Sequence, residues 1–105
     1  MKLEWGKTSK NKMDWNKAIV YCEKLGNGWR LPTIQELVGC INYNKYNPAS
    51  DMDFKTDDCY WSSTTYALNT DYAWYVHFYN GDVLSSNKTN SYYVRPVRNI
   101  LKGGN

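Results

Sequence analysis

Residues 60–81 read YWSSTTYALNTDYAWYVHFYNG, a stretch holding two indoles, one phenyl ring and five phenols among hydroxyl and amide side chains. From Trp74 the pattern has a period of two. Trp74, Val76 and Phe78 alternate with Tyr75, His77 and Tyr79, which sets the two groups on opposite faces of a β-strand. Asn80-Gly81 supplies a two-residue hairpin signal, because both positions tolerate positive φ. Asp82–Ser86 then reads as the return strand, and Tyr60–Thr64 upstream also suits a strand. Beyond the polar turn NKTNS, YYVRPVRNI reads as a last strand. Pro96 cannot donate to a ladder, so this strand has an edge, a bulge or an early end there.

Towards the N-terminus the period is helical. Trp15, Ala18, Ile19, Cys22 and Leu25 fall on one face of a helix. Asp14 stands where an N-cap carboxylate accepts the free amides of the first turn. Gly26 stands at the left-handed position that ends a helix, and Lys24 lies in the last turn, where positive charge is favoured. Pro32 forces Leu31 out of helical geometry. Thr33 and Glu36 form a capping box, so a second helix starts at Ile34, with Ile34, Leu37, Val38 and Ile41 on its apolar face. KLEWG at 2–6 is a short first strand. Residues 42–58 show turn residues and no period, and read as one long loop. The predicted order is strand, helix, helix, long loop and several antiparallel strands: one α+β domain over 1–105, with segregated helices.

Composition narrows the function. Aromatics make up 16% of the chain, ten of them tyrosine, which exceeds the needs of a core this size. The net charge of +3 is too small to argue for nucleic acid. Lys7, Lys10, Lys12 and Lys17 form either a solvated face or a patch for an acidic polymer such as a sulfated glycan. Three cysteines with one histidine and no CxxC pair argue against zinc. Cys40 and Cys59 flank the long loop and are the pair to join in an oxidising compartment. Cys22, on a helix face, reads as a buried reduced thiol. No apolar run is long enough to span a membrane, so membrane insertion is not expected. MKLEWGK lacks a signal-peptide core; either the protein is not exported by that route or the sequence is an excised domain.

Several motifs follow one another along the chain: W-x-x-A-x-x-Y-C from Trp15 to Cys22, the W-R-L-P-T run at 29–33 with Glu36-Leu37, YWSST at 60–64, A-W-x-V-x-F-x-x-G at 73–81 and YVRPVR at 93–98. This set resembles the C-terminal domain of bacterial collagen-like adhesins, a domain of unknown function that looks like a branch of the C-type-lectin-like superfamily. The resemblance implies a C-type-lectin-like fold, with paired termini and two helices on a twisted antiparallel sheet. It implies a binding module on a cell surface, secreted protein or phage particle, with a cell-surface glycan (a glycosaminoglycan among them) or a protein receptor as partner, and a homotrimer as assembly. It also brings distant similarity to retroelement-diversified receptor-binding proteins. Residues 62–93 are crowded with the Tyr, Ser, Asp, Thr and Asn that adenine-directed mutation of asparagine codons yields, although a low-GC genome enriches Asn, Lys and Tyr as well. The Glu-Pro-Asn, Gln-Pro-Asp and Trp-Asn-Asp tripeptides of calcium-dependent sugar-binding lectins do not occur. The cysteine pairs of lectins are incomplete too: Cys22 has the first position, but no cysteine follows Cys59.

The residues themselves point to a site. Burying the all-apolar side Trp74, Val76 and Phe78 avoids stranding a phenol or imidazole. Tyr75, His77 and Tyr79 then face outward, beside Tyr66, Asn69, Asp71, Tyr72, Asn80 and Asp82. Tyrosine offers contact area at low entropy cost, and Ser and Asn add adaptable hydrogen bonds. The expected function is noncatalytic recognition or adhesion through this Tyr/Asn/Ser-rich sheet face, with no cofactor. The alternatives are aromatic cross-strand pairing on a solvated sheet and a structural or oligomerisation module of a larger surface or phage-tip protein. His77 with Ser62, Ser63 or Cys59 sketches a nucleophile and base, but no elbow motif surrounds either serine. The catalytic cysteine pattern of formylglycine-generating enzymes, which share the superfamily, is not visible. Asp51, Asp53, Asp57 and Asp58 read as a solvated acidic loop rather than a calcium loop, since Lys55 occupies a ligand position. Arg30, Arg95 and Arg98 read as structural forks, with Glu36 and Glu4 as partners.

Overall fold

The computed structural model describes residues 2–100. Their elements, in order, are β1 (Lys2–Trp5), α1 (Trp15–Lys24), α2 (Ile34–Val38), β2 (Cys59–Thr65), β3 (Tyr72–His77), β4 (Asp82–Asn87) and β5 (Val97–Ile100). β2, β3 and β4 form an antiparallel sheet in that order, and β1 pairs with β5 in a second antiparallel ladder. The domain is a small compact α+β unit with two helices and antiparallel sheets, as the sequence predicts.

Local chemistry sets the helix ends. The Asp14 carboxylate accepts the Lys17 amide at 2.9 Å at the start of α1. Gly26, just beyond its end, has φ +68°, which lets the chain reverse without a Cβ clash. At α2 the capping box is complete: the Glu36 amide donates to Thr33 Oγ1, and the Thr33 amide donates to Glu36 Oε1. The same carboxylate takes a two-pronged contact from Arg30, at 2.7 and 2.8 Å. Arg30 also donates to the Asn99 side chain at 2.6 Å, so one guanidinium ties the start of α2 to the terminal ladder.

Tyr60 and Trp61 are neighbours on β2 and point to opposite faces, and neither is exposed at all. The Trp61 face packs with Ala18 and Cys22 of α1, Leu31, Ala73 and Val94. The Tyr60 face packs with Leu37 of α2, Val76, Phe78, Tyr93 and Phe54 from the long loop. The two covers are offset along β3: α1 lies over the Ala73 end, and α2 with the loop over the Val76–Phe78 end. Residues 92–95 continue the sheet beyond β2, with backbone bonds from Trp61 to Tyr93 and from Tyr93 to Cys59. Pro96 marks the change of partner. Its carbonyl accepts the Gly6 amide, and the chain then enters β5 against β1.

Two sequence expectations change. The β3–β4 hairpin has a longer turn than Asn80-Gly81. Its last paired residues are His77 and Asp82, so Phe78–Gly81 form the turn, and only Gly81 has positive φ, at +87°. The reason is the long loop, which claims the backbone here: the Phe78 and Tyr79 carbonyls accept the Ala49 and Asn47 amides at 2.7 and 2.8 Å. Phe78 then stacks flat on Phe54, with centroids 3.8 Å apart. Second, Cys40 and Cys59 are not joined; all three thiols are free.

Two outcomes follow from this packing. Phe54→Ala removes the loop's anchor and should lower stability by about 3–5 kcal/mol, read as a denaturation midpoint. Arg30, and then the Thr33 amide, hold the Glu36 carboxyl below its usual 4.5. That contribution is present above 4.5 and is lost as the pH falls through the lowered folded value. Glu36→Gln should therefore weaken the domain at pH 7 and flatten the acid limb of its pH–stability curve.

Candidate ligand-binding surface

With covers on both faces, the sheet offers no open face, and the alternation along β3 becomes a burial gradient. On one side Ala73 is buried, Tyr75 and His77 are half-buried, and Tyr79 is exposed. On the other, Val76 and Phe78 are buried, while Trp74 is half-buried and meets Tyr66 edge-on at 5.1 Å. Tyr75 thus belongs partly to the core. It stacks on Tyr92 at 4.8 Å and meets Trp61 edge-on, and burial pushes its phenol up to about 12.

The nine residues singled out from sequence separate into two groups around this half-buried centre. Tyr66, Asn69, Asp71 and Tyr72 gather at the start of β3, where Asn69 Oδ1 accepts the Asp71 amide. His77, Tyr79, Asn80 and Asp82 gather at its far end, roughly 17 Å along the strand at about 3.3 Å per residue. At that far end the structure adds two residues that sequence reasoning missed. Tyr43 and Tyr46 of the long loop are 70% and 74% exposed, against 45% for Tyr79. The Tyr46 and His77 rings each lie 6.3 Å from the Tyr79 ring. Tyr43 donates its hydroxyl to the Gly81 carbonyl at 3.0 Å. Its ring covers Gly81 so closely that a Cβ there would sit 2.7 Å from it. The signal for these residues was NYNKYN at 42–47, the same Tyr/Asn mixture as the turn, but aperiodic.

The turn is braced rather than loose. Asn80 Oδ1 accepts the Asp82 amide, its Nδ2 donates to Asp82 Oδ2, and Thr56 donates to the Asn47 side chain. A surface of Tyr43, Tyr46, His77, Tyr79, Asn80 and Asp82 can stack a ring or sugar face and set its orientation with amide and carboxylate bonds. Elsewhere, Trp5, Trp29 and Arg95 line a cleft of about 530 Å3 beside the terminal ladder.

The other arginines and the loop aspartates are engaged. Arg95 donates to the Gly6 carbonyl and to Asp53, and Arg98 to Glu4 and the Asn27 carbonyl. Asp51 pairs with Lys45 and Asp58 with Lys12. The strand register sets Cys59, His77 and Asp82 side by side across three strands. Yet burial, and then Asp58, push the Cys59 thiol up to about 12, the opposite of an activated thiolate. Ser62 is fully buried and donates to the Trp74 carbonyl at 2.7 Å. No helix among the described residues is long and apolar enough to cross a membrane.

Fold and surface together define a small α+β domain with an exposed aromatic end. The chain belongs to the Lcl C-terminal domain family, whose model matches residues 1–98. That membership suggests a surface-associated domain of a larger protein. No curated protein matches the chain.

Burial raises Cys22, Cys40 and Cys59 to about 12, 11 and 12 from an ordinary 9.0. Iodoacetamide at pH 7.5 should therefore leave the native thiols almost unmodified and alkylate all three in guanidinium, read by mass spectrometry. Because the folded values are raised, stability is full below pH 9 and should decline as the pH climbs towards 12, where the unfolded chain ionises first.

Proposed function

We propose that the chain is a noncatalytic recognition domain, displayed on a cell surface, a secreted protein or a phage particle. It binds a glycan or protein ligand through the tyrosine-and-amide end of its sheet. The observation that carries this reading is the exposure of Tyr43 and Tyr46 of the long loop together with Tyr79 of the braced turn. Exposed aromatic rings that already hold their positions lose little entropy on binding. Asn80, Asp82 and His77 beside them supply the polar contacts that set specificity.

We also place the fold in the C-type-lectin-like superfamily. Three features support this: paired termini, two helices ahead of an antiparallel sheet, and a long loop packed on that sheet. The same exposed rings would serve a homotrimer contact, the second reading.

The double variant Tyr46→Ser/Tyr79→Ser separates these. On a glycan array and a heparin column, wild type should bind at least one ligand class, and the variant should bind about 10-fold weaker or worse. Its melting temperature should change little, because Tyr46 is largely and Tyr79 about half exposed. Equal binding by both proteins would overturn the reading. A stable trimer in sedimentation that the variant dissolves would favour assembly instead.

A further inference from the structure

The outer side of α1 carries a groove that the recognition surface does not use. Its volume is about 540 Å3, and its floor is apolar: Met13, Val20 and Tyr21. Val20 is 44% exposed, although the helix buries Ala18 and Cys22 on its inner stripe. Lys17, Val20, Tyr21 and Lys24 are spaced at i, i+3, i+4 and i+7, so they share one stripe of the helix. Met13 and Tyr21 are half-buried and also pack on the core, so the groove's apolar floor is their outer edge together with the exposed Val20.

Charge says what could cover this floor. Lys12, Lys17 and Lys24 rim the groove and no carboxylate lines it. The chain holds 13 Lys and Arg against 10 Asp and Glu, a net charge of +3. Lys12 is already bonded to Asp58 at 2.8 Å, which leaves Lys17 and Lys24 as the available cations. A sulfated polysaccharide would satisfy the lysines and could lay a sugar face on Tyr21, but it has no protruding alkyl group to rest on Met13 and Val20. A bilayer meets protruding apolar side chains, whereas here they form the floor of a groove between lysines. An acidic peptide with an apolar anchor matches both rim and floor.

We propose that this groove docks an acidic segment of a partner protein. One aliphatic or aromatic side chain of that segment rests on Met13, Val20 and Tyr21, and flanking carboxylates meet Lys17 and Lys24. The site is on a different element from the tyrosine-rich end, so the two readings stand or fall separately.

The test uses the full chain and a fluorescent twelve-residue peptide of Asp and Glu with two leucines spaced four apart, followed by anisotropy. The expected result is saturable binding that weakens about 10-fold or more when the leucines become serine at constant charge. Lys17→Glu/Lys24→Glu should abolish it and Val20→Ser should weaken it, each with unchanged circular dichroism. Tyr46→Ser/Tyr79→Ser should leave it intact. Equal affinity for the leucine-free peptide, tighter binding to heparin or to phosphatidylserine vesicles through the same lysines, loss of peptide binding only because the chain self-associates there, or no saturable binding would each overturn the proposal.

Discussion

The dipeptide Tyr60–Trp61 constrains everything else in this domain. Two of the largest side chains stand next to each other on one strand, and strand geometry sends them to opposite faces. Both are fully buried, so both faces of the sheet need a cover. Their polar tips are satisfied inside it. The Tyr60 hydroxyl meets Thr8 and the Lys55 amide at 2.9 Å, and the Trp61 indole donates to the Met13 carbonyl at 3.0 Å. The region before α1 is drawn onto β2 from both sides, through Thr8 and Met13, and the end of the long loop joins it on the Tyr60 side through Lys55. A sheet covered on both faces leaves its ends and its β4 edge for ligands, and this places the exposed tyrosines at a turn instead of on a flat face.

That turn owes its shape to the loop beneath it. Residues 42–58 contain no regular helix or strand, yet Ala49, Ser50 and Phe54 are buried. The loop bonds to the backbone of Phe78 and Tyr79 and presents Phe54 to stack on Phe78. One contact therefore does two things: it pulls Phe78 inward, and it leaves the next residue, Tyr79, turned out beside Tyr46. Gly81 completes the arrangement, because its left-handed backbone and missing Cβ let Tyr43 close over it. Core packing and the candidate surface are built from adjacent residues.

What the sequence made legible was local. Asp14, Thr33 and Glu36 announce helix starts through bonds spanning three residues, and the period of two between Trp74 and Phe78 announces a strand. Two of the arginine partners, Glu36 and Glu4, were readable, but Asp53, which pairs with Arg95, read as part of a solvated loop. The site was legible only in part. Reading one face of β3 as core and the other as surface assumes a sheet covered on a single side. Ala73 and Tyr75 break that assumption, because α1 and Tyr92 pack on their side too. The four-residue turn, and the pairing of Tyr46 with Tyr79, depend on contacts between segments some thirty residues apart. No local pattern encodes such contacts, so the hairpin looked tighter and the loop looked idle.

The two cation types divide the remaining work along physical lines. Arginine's planar fork suits several fixed bonds at once, and all three arginines are spent that way. Arg30 joins α2 to β5, Arg95 joins the Gly6 carbonyl to Asp53, and Arg98 joins Glu4 to the Asn27 carbonyl while lying over the Trp29 ring. These forks matter because β1 and β5 are four residues each, and a ladder that short is marginal alone. Lysine carries a flexible, strongly hydrated charge that is cheap to leave in water. The positive excess that remains after the arginines are engaged is therefore lysine, and two of these lysines, Lys17 and Lys24, stand on α1. The β1–β5 ladder is closed by forks, and the surface that a charged partner meets first is set by lysine point charges, hydrated and on long flexible stems.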